Sequence, residues 1–434
     1  MQEWRWVPLS SLYLVRYGKA NPGRTGTVPV VGSSGVYSWT QSPLITYPTV
    51  VIGRKGSAGQ AWLVEVPSYP SDTTFYLEPK DSAATNIRFT YFALRQLQIA
   101  ATEDVIPSLQ RHELENLTVP VPPLPEQRAI AAVLAKVQAV VEVQEKIVAT
   151  LRGLKGSTMA KLFREGLRGE PLKQTEIGEI PESWGVIALE SVCEKMNYGT
   201  SVRCTGERQG WPVLRIPNVI NEMVDTTDLK WTRLPDHEVS KLALEEGDVL
   251  FVRTNGNRQY TGRCAVYEGQ PARALFASYL IRVRLAKGNV LPAFAQGYLS
   301  SVGREQITAK AHPAADGKYN IDTGVLKAVL LPRPSVEEQR AIGEKIRAID
   351  HRLARTKERA RTLRSLFSSM LHLLMTGRVR VTRKMIALQA VADRAARRPK
   401  WSGTVDEKFL QEVVRRIVEA TAPEKIIVFG SAAR

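Results

Sequence analysis

An internal repeat is the feature that most constrains how this chain can fold. The stretch PPLPEQRAI at residues 122–130 returns as PSVEEQRAI at residues 334–342. The two halves also open alike, with WRWVPLSSL at residues 4–12 and WGVIALESV at residues 184–192. Self-similarity of this kind indicates two copies of one structural unit. The stretches between these motifs differ, so we expect two domains that share their ends but not their central residues.

Each copy of the shorter motif marks the change from an extended segment to a helix. A residue before proline avoids the α region, and proline cannot donate to a β ladder. Pro125 suits the first position of a helix, where a missing N–H costs nothing. In the second copy Ser335 and Glu338 have the spacing of a capping box, which predicts a well-capped helix start.

The helices that follow are predicted to be long and to pair with each other. In the second copy apolar residues recur at alternating spacings of four and three, which is typical of a coiled-coil seam. The first copy has the same spacing but carries Gln144, Lys155 and Thr158 in its seam, and Gly153 and Gly156 should loosen or kink it. We expect the two seams to form an antiparallel coiled coil. The seam of the second copy is Ile342, Ile346, Ile349, Leu353, Thr356, Ala360, Leu363, Phe367, Met370 and Leu374.

Composition favours a polyanionic partner. The 434 residues exceed one typical domain and include 60 Lys and Arg against 43 Asp and Glu, for a net charge of +17. Each phosphate that such a cation neutralises releases counterions. A basic but otherwise ordinary surface is the alternative. The three cysteines form no CxxC pair and there is no long apolar run, which predicts a reduced cytoplasmic protein without structural zinc or a membrane span.

The two halves have the same style of secondary structure. Each is predicted to contain short strands broken by glycine and proline, followed by a helical segment, near residues 87–99 in one half and 293–309 in the other. The expected fold class is therefore α+β, with two such domains separated by two long helices.

A glycine-rich loop, GRKGSAG at residues 53–59, is the candidate binding element of the first half. It lacks the spacing of a Walker A loop or a dinucleotide fingerprint. Either it is only a hairpin turn, or its backbone approaches phosphate closely with basic side chains near a groove. The candidate DNA-contacting residues here are Ser33, Ser34, Arg54, Lys55 and Ser57.

The second half carries its candidate residues on a predicted hairpin. The dipeptide Asn255-Gly256 is a strong hairpin signal between two strand-like stretches. Arginine pairs well with guanine edges, and asparagine or glutamine with adenine edges, so the loop suits base recognition, although any exposed hairpin tip has this composition. The candidates are Arg253, Asn255, Asn257, Arg258, Gln259, Tyr260 and Arg263, with Lys310, Lys318 and Tyr319 from a second polar stretch.

Together these motifs resemble the specificity subunit of type I restriction-modification systems. The resemblance rests on PLPEQRAI, VEEQRAI, IPESWGVIAL, VIGRKGSAG and EGDVLF, and it covers roughly residues 1–380. It implies two α/β target recognition domains that each read one half of a split, asymmetric DNA site, held apart by two conserved helices. The implied boundaries are 1–124 and 169–336 for the recognition domains, 125–168 and 337–378 for the spacer helices, and 379–434 for an extension.

The same resemblance implies the partners. Two methyltransferase subunits would dock on the helices, and restriction or translocase subunits would join them in a type I deoxyribonuclease and adenine-N6 methyltransferase. These partners would bind S-adenosylmethionine, ATP and Mg, while this chain would carry no catalytic or metal-binding residue. In agreement, the sequence has no Walker A, G-x-S-x-G, HExxH or NPP[FY] motif.

The last residues depart from that family pattern. The ending EKIIVFGSAAR resembles the start of a small nucleotidyltransferase domain, whose turn, here Gly430-Ser431, would hold phosphates. The sequence stops before the acidic residues such a domain needs for metal, so we expect an incomplete fragment, or else a helix and strand that pack on the body. A nucleotidyltransferase-like enzyme and a coiled-coil adaptor without DNA specificity are therefore the alternative functions.

Overall fold

The computed structural model describes residues 4–381, apart from residues 22, 24, 82, 83, 98, 100–106 and 315. It divides into two compact units: unit 1 holds the residues up to Gln144 and those from Arg359 onward, and unit 2 is Glu145–Glu358. The domain boundaries expected from the sequence stay a prediction. The extension after residue 381, with Gly430 and Ser431, lies outside the described residues. The mixed helix and sheet class is confirmed.

Unit 1 is built on two small sheets that pack against a helix. The strand orders are β2-β8-β5-β6 and β4-β3-β7, and β1 pairs with β9. Strand β5 is buried along its whole length because it lies inside its sheet and under helix α1, as a central apolar strand should. The elements are β1 (Arg5–Pro8), β2 (Tyr13–Tyr17), β3 (Val28–Gly32), β4 (Gly35–Thr40), β5 (Thr49–Gly53), β6 (Ala61–Val64), β7 (Tyr69–Pro70), β8 (Thr74–Pro79), α1 (Ile87–Leu97), α2 (Arg111–Asn116), β9 (Thr118–Val121) and the start of α3 (Leu124–Glu165).

Unit 2 repeats that plan with a longer interior. Its sheets are β13-β20-β16-β18, β15-β14-β19 and β17-β22-β21, and β12 pairs with β23 as β1 does with β9. The elements are β10 (Leu172–Thr175), β11 (Gly178–Pro181), β12 (Gly185–Ala188), β13 (Cys193–Tyr198), β14 (Trp211–Leu214), α4 (Ile216–Val219), β15 (Lys230–Thr232), α5 (Asp236–Leu242), β16 (Val249–Val252), β17 (Thr254–Asn255), β18 (Cys264–Val266), β19 (Leu275–Phe276), β20 (Leu280–Leu285), α6 (Pro292–Leu299), α7 (Arg304–Thr308), β21 (His312–Pro313), β22 (Tyr319–Asn320), α8 (Thr323–Lys327), β23 (Leu330–Arg333) and the start of α9 (Val336–Met375).

The long helices α3 and α9 contribute to the core of each unit. In unit 1, Ile130 and Leu134 of α3 share one buried cluster with Met370 and Leu374 of α9. In unit 2 the later part of α3 shares a cluster with the earlier part of α9. Helix α3 runs without a break through Gly153 and Gly156, where a Cβ would meet nothing within 4 Å, and the loosening or kink expected at these glycines stays a prediction.

The repeated Glu-Gln pair explains why the two halves open and close alike. In unit 2 the carboxylate of Glu338 accepts hydrogen bonds from the indole of Trp184 (3.2 Å) and the amide of Leu167 (2.8 Å). In unit 1, Glu126 accepts from the indole of Trp4 (3.3 Å) and from the guanidinium of Arg380 (2.6 Å). Each glutamate therefore ties the residue that precedes β1 or β12 to a segment that follows a long helix.

The glutamine of the motif forms matching bonds in both units. Gln127 donates to the carbonyl of Pro122 (2.8 Å), and Gln339 donates to that of Pro334 (3.1 Å). The expected capping box is only half formed, since Ser335 Oγ accepts from the Glu338 amide (3.3 Å) while the Glu338 side chain points to Trp184.

Candidate nucleic-acid interface

The candidate residues of the first half lie on two adjoining turns. Ser33 and Ser34 form the turn of the β3–β4 hairpin, and residues 54–60 connect β5 to β6. The hydroxyls of Ser34 and Ser57 are 3.1 Å apart, so the two turns are in contact. A Cβ on Gly53 would lie 2.2 Å from the Ser57 carbonyl oxygen, so only glycine fits at this position of the loop.

Arg54 and Lys55 have different surroundings. The guanidinium of Arg54 donates to the Asp72 carbonyl (2.8 Å) and lies 5.5 Å from the ring centre of Tyr17. Arg111 faces the same ring at 6.0 Å, a contact that the sequence did not predict. The side chain of Lys55 is exposed. Arg54 is thus held by the fold, and Lys55 is the more available cation of the loop.

The candidates of the second half belong to one small sheet. Strand β17 pairs with β22, which places Asn255 opposite Tyr319, and β22 pairs with β21. The two polar stretches, which were separate in sequence, are therefore neighbours. The predicted hairpin is confirmed, since β16 and β18 pair antiparallel with residues 253–263 as the loop between them; within that loop, β17 pairs with β22.

Side chains of this 253–263 loop hold its own backbone. Asn255 Oδ1 accepts from the amide of Asn257 (2.9 Å), and Asn257 Oδ1 accepts from the amide of Gln259 (2.9 Å). Two successive turns of this kind impose a defined path. Arg258 donates to the carbonyls of Thr308 (2.9 Å) and Ala309 (3.0 Å). Asn255, Asn257 and Arg258 thus have structural partners inside the protein.

The other two arginines lie against tyrosine rings. Arg253 is 4.7 Å from the ring centre of Tyr198, and Arg263 is 4.3 Å from that of Tyr260. Arg263 also donates to the carbonyl of Ile220 (2.9 Å). Stacking of this kind stabilises a guanidinium and keeps it planar against the ring. Tyr198 was missed by the sequence analysis, since its position in a strand gives no local signal.

The remaining candidates are the exposed ones. Gln259, Tyr260, Lys310 and Lys318 all face solvent, and Lys318 pairs with Asp316 at 2.6 Å. The hydrogen bond to Asp316 raises the pKa of Lys318 from its ordinary value, so its ammonium stays charged. These side chains, with exposed Tyr279, can reach a bound ligand without breaking the loop.

The described residues show neither a metal-binding cluster nor a membrane-spanning helix. They contain no group of three or more His, Cys, Asp or Glu side chains placed to hold a metal ion. Within the same part of the chain, none of the helices has the length and apolar character needed to cross a membrane.

A family model and several relatives match this chain. Residues 18–152 match the type I restriction modification DNA specificity domain. The MjaVIII specificity subunit of Methanocaldococcus jannaschii is 27% identical over 286 residues, or 64% of this chain and 65% of that protein. The EcoKI specificity subunit of Escherichia coli is 26% identical over 256 residues, or 56% of this chain and 52% of that protein. The chain thus spans about half to two thirds of the length of these relatives.

A solved structure shares the fold. The type I restriction-modification S subunit from M. genitalium superposes with a TM-score of 0.61 at 16% identity, covering 86% of this chain and 96% of that one. The resemblance to type I specificity subunits that the motifs predicted is confirmed by these matches.

Proposed function

We propose, from the specificity-domain match at residues 18–152, that this chain is the non-catalytic DNA-recognition subunit of a type I restriction-modification complex. The observation that carries the proposal is that both units share one structural arrangement but carry different candidate binding loops. Both units place a Trp–Glu contact between the residue before a strand, β1 or β12, and the first turn of a long helix, at Trp4–Glu126 and Trp184–Glu338. Two domains that share this construction but carry different loops are suited to a split DNA site whose two halves differ in sequence.

The long helices would set the distance between the two half-sites. They contain 42 and 40 residues, or roughly 60 Å each at 1.5 Å per residue. Unit 1 groups the start of α3 with the end of α9, and unit 2 groups the end of α3 with the start of α9. This order supports the antiparallel coiled coil, and a rigid spacer makes binding depend on half-site separation.

Methyltransferase subunits would dock on these helices. Helix α3 exposes Val140, Val143, Ile147 and Leu154, which recur at near-heptad spacing away from its buried seam. An exposed apolar row on a helix is typical of a surface that another helix covers. In the proposed complex, which we place in the cytoplasm, these subunits and the restriction or translocase subunits would bind S-adenosylmethionine, ATP and Mg.

The test is sequence-specific binding by the complete chain in complex with its methyltransferase subunits. We expect selection from random duplexes to yield a split site, and affinity for it to fall steeply with salt because cations contact phosphates. Equal binding of all duplexes near physiological salt would contradict the proposal.

A domain exchange separates recognition from a mere adaptor role. Replacing residues 180–330 with those of a related chain should change one half of the selected site and leave the other half intact. An unchanged site after this exchange would favour the adaptor.

A further inference from the structure

Lys155 occupies a position of the α3 seam where an apolar residue is expected, and the structure shows why it is tolerated. Its ammonium lies 2.6 Å from Asp350 Oδ1 of α9 and 2.9 Å from Glu222 Oε2, in the turn after α4. The Lys155 side chain is only 12% exposed and that of Asp350 only 11%. One buried cation thus joins both long helices to a loop of the recognition domain.

Each charged group of this cluster is kept ionised by the opposite charges beside it. Burial acts to lower the pKa of Lys155, but Glu222 and Asp350 outweigh it and the pKa is raised from its ordinary value. Burial raises the pKa of Asp350, while Lys155 opposes that shift. Removing one member of such a buried group leaves another charge uncompensated, which costs more than the pair itself contributes.

Glu222 is held in a conformation that non-glycine residues rarely adopt. Its φ is +67°, in the left-handed region, so its backbone is under strain that the surrounding contacts must offset. Its carboxylate binds Lys155, and its carbonyl accepts from Gln296 Nε2 of α6 (3.2 Å). The turn therefore has a fixed shape that depends on contacts to other elements.

The same turn supports the 253–263 loop. The carbonyl of Ile220, two residues before Glu222, accepts from the guanidinium of Arg263. That guanidinium stacks on Tyr260, which is exposed on the loop. A continuous path of contacts thus runs from the helix pair through Lys155, the turn and Arg263 to Tyr260.

We propose that Lys155 is a positioning residue for DNA recognition, which by holding Glu222 fixes the 219–222 turn against the helices and so orients the 253–263 loop. This inference rests on the proposed function, but the linkage itself can be measured without DNA. Asp350 of α9 holds the ammonium in place, and the bond from the ammonium to Glu222 in turn fixes the 219–222 turn of the recognition domain.

The discriminating variant is Glu222→Gln in the full chain. It removes the charge that Glu222 offers to Lys155 while leaving the Lys155–Asp350 pair between the helices, so it weakens the link without stripping the buried ammonium of its counter-charge. Asp350→Asn removes the other negative charge, Lys155→Arg keeps a cation in the cluster, and Glu344→Gln neutralises an exposed carboxylate on α9 as the matched control.

Hydrogen exchange of the free chain gives the first readout. We expect the amides of residues 219–222 and 253–263 to exchange about tenfold faster in Glu222→Gln, with little change in strand β20. Asp350→Asn should have a smaller effect on the loop, and Lys155→Arg and Glu344→Gln should have none. Uniform acceleration across unit 2, or an unchanged loop, would overturn the linkage.

Base selection by the assembled complex gives the second readout. We expect Glu222→Gln to reduce the preference at one half-site about tenfold and to leave the other unchanged, because the loop is present but misoriented. Loop loosening with intact selectivity at both half-sites would overturn the positioning role. If the unaltered chain selected no site at all, the proposed function would fail, while the exchange data would still decide the linkage.

Discussion

The indole nitrogen of Trp184 donates a hydrogen bond to the carboxylate of Glu338 across 3.2 Å, where the residue before β12 meets the first turn of α9. Both residues are buried, and the same carboxylate accepts from the amide of Leu167. A buried carboxylate with several donors is stabilising only while those donors remain. The glutamate of the repeated motif is thus a structural connection between distant parts of the sequence.

Replacing Glu338 should therefore destabilise unit 2. We expect Glu338→Gln to lower the free energy of unfolding by about 1–3 kcal/mol, since an amide cannot accept from all of these donors. Chemical denaturation of the full chain measures this. Glu344→Gln neutralises an exposed carboxylate further along α9 and should leave the midpoint unchanged; equal effects of the two substitutions would show that Glu338 has no special role.

Two glycines should respond in opposite directions to alanine. Gly166 has φ +63°, and a Cβ there would lie 2.8 Å from Glu338 Oε1 and 3.1 Å from the Trp184 ring. We expect Gly166→Ala to destabilise the protein by about 1–3 kcal/mol through backbone strain and crowding. Gly153→Ala should instead stabilise it by about 0.5–1 kcal/mol, because that glycine lies in an open helix position. Thermal unfolding compares the two variants. A shift of the unfolding midpoint in the same direction for both would contradict the structure.

Lys55 and Gln259 should affect DNA binding differently. Lys55→Ala should weaken binding to all duplexes alike and reduce the salt slope by about 1, as expected for a phosphate contact. Gln259→Ala should cost about 1–3 kcal/mol for the selected site only, as expected for a base contact.

Anisotropy titrations of the complex at several salt concentrations distinguish these two outcomes. Lys161→Met serves as the control, because it removes a well-exposed cation from α3. If Lys55→Ala changed the affinity and the salt slope no more than Lys161→Met does, Lys55 would not belong to the DNA interface.

The buried thiol of Cys264 should resist alkylation. Burial raises its pKa to about 12, so almost no thiolate forms at pH 8.5, and the thiolate is the reacting species. Cys204, in a partly exposed loop, should be modified first. Mass spectrometry after iodoacetamide treatment gives the order in which the cysteines are modified.

The same raised pKa predicts a pH effect on stability. The unfolded thiol loses its proton near pH 9, before the folded one, so this contribution to stability is complete below pH 9 and is lost as the pH rises toward 12. Cys264→Ala should flatten that part of the stability curve, and an unchanged slope would show that the thiol is not shielded.

The repeat predicted the long helices and their buried seams because those depend on local periodicity. The partners of Glu126 and Glu338 could not be predicted, since Trp4 and Trp184 lie far away in sequence and nothing local indicates such a contact. Lys155 looked like a defect in the seam for the same reason: its partner Glu222 comes from another element.

Local signals were incomplete where tertiary contacts also act. Asn255-Gly256 predicted a hairpin, and β16 and β18 do pair around it, but within the loop β17 also pairs with β22, which the turn signal did not indicate. Gly153 and Gly156 usually weaken a helix, and α3 runs through both of them without a break, between buried Val148 and buried Met159. The candidate interface residues were chosen by composition, and only the contacts in the structure show which of them support the loop and which face outward.

That division within the 253–263 loop has a consequence for how target preference can diversify. Asn255, Asn257 and Arg258 build the loop through partners inside the protein, while Gln259 and Tyr260 point outward. A mutation of the Gln259 side chain leaves these internal contacts in place, so under the proposed function a related chain could acquire a new target in a single step that keeps the loop folded. We expect natural variation between close relatives to concentrate at these outward positions, and directed evolution of a new half-site to begin there.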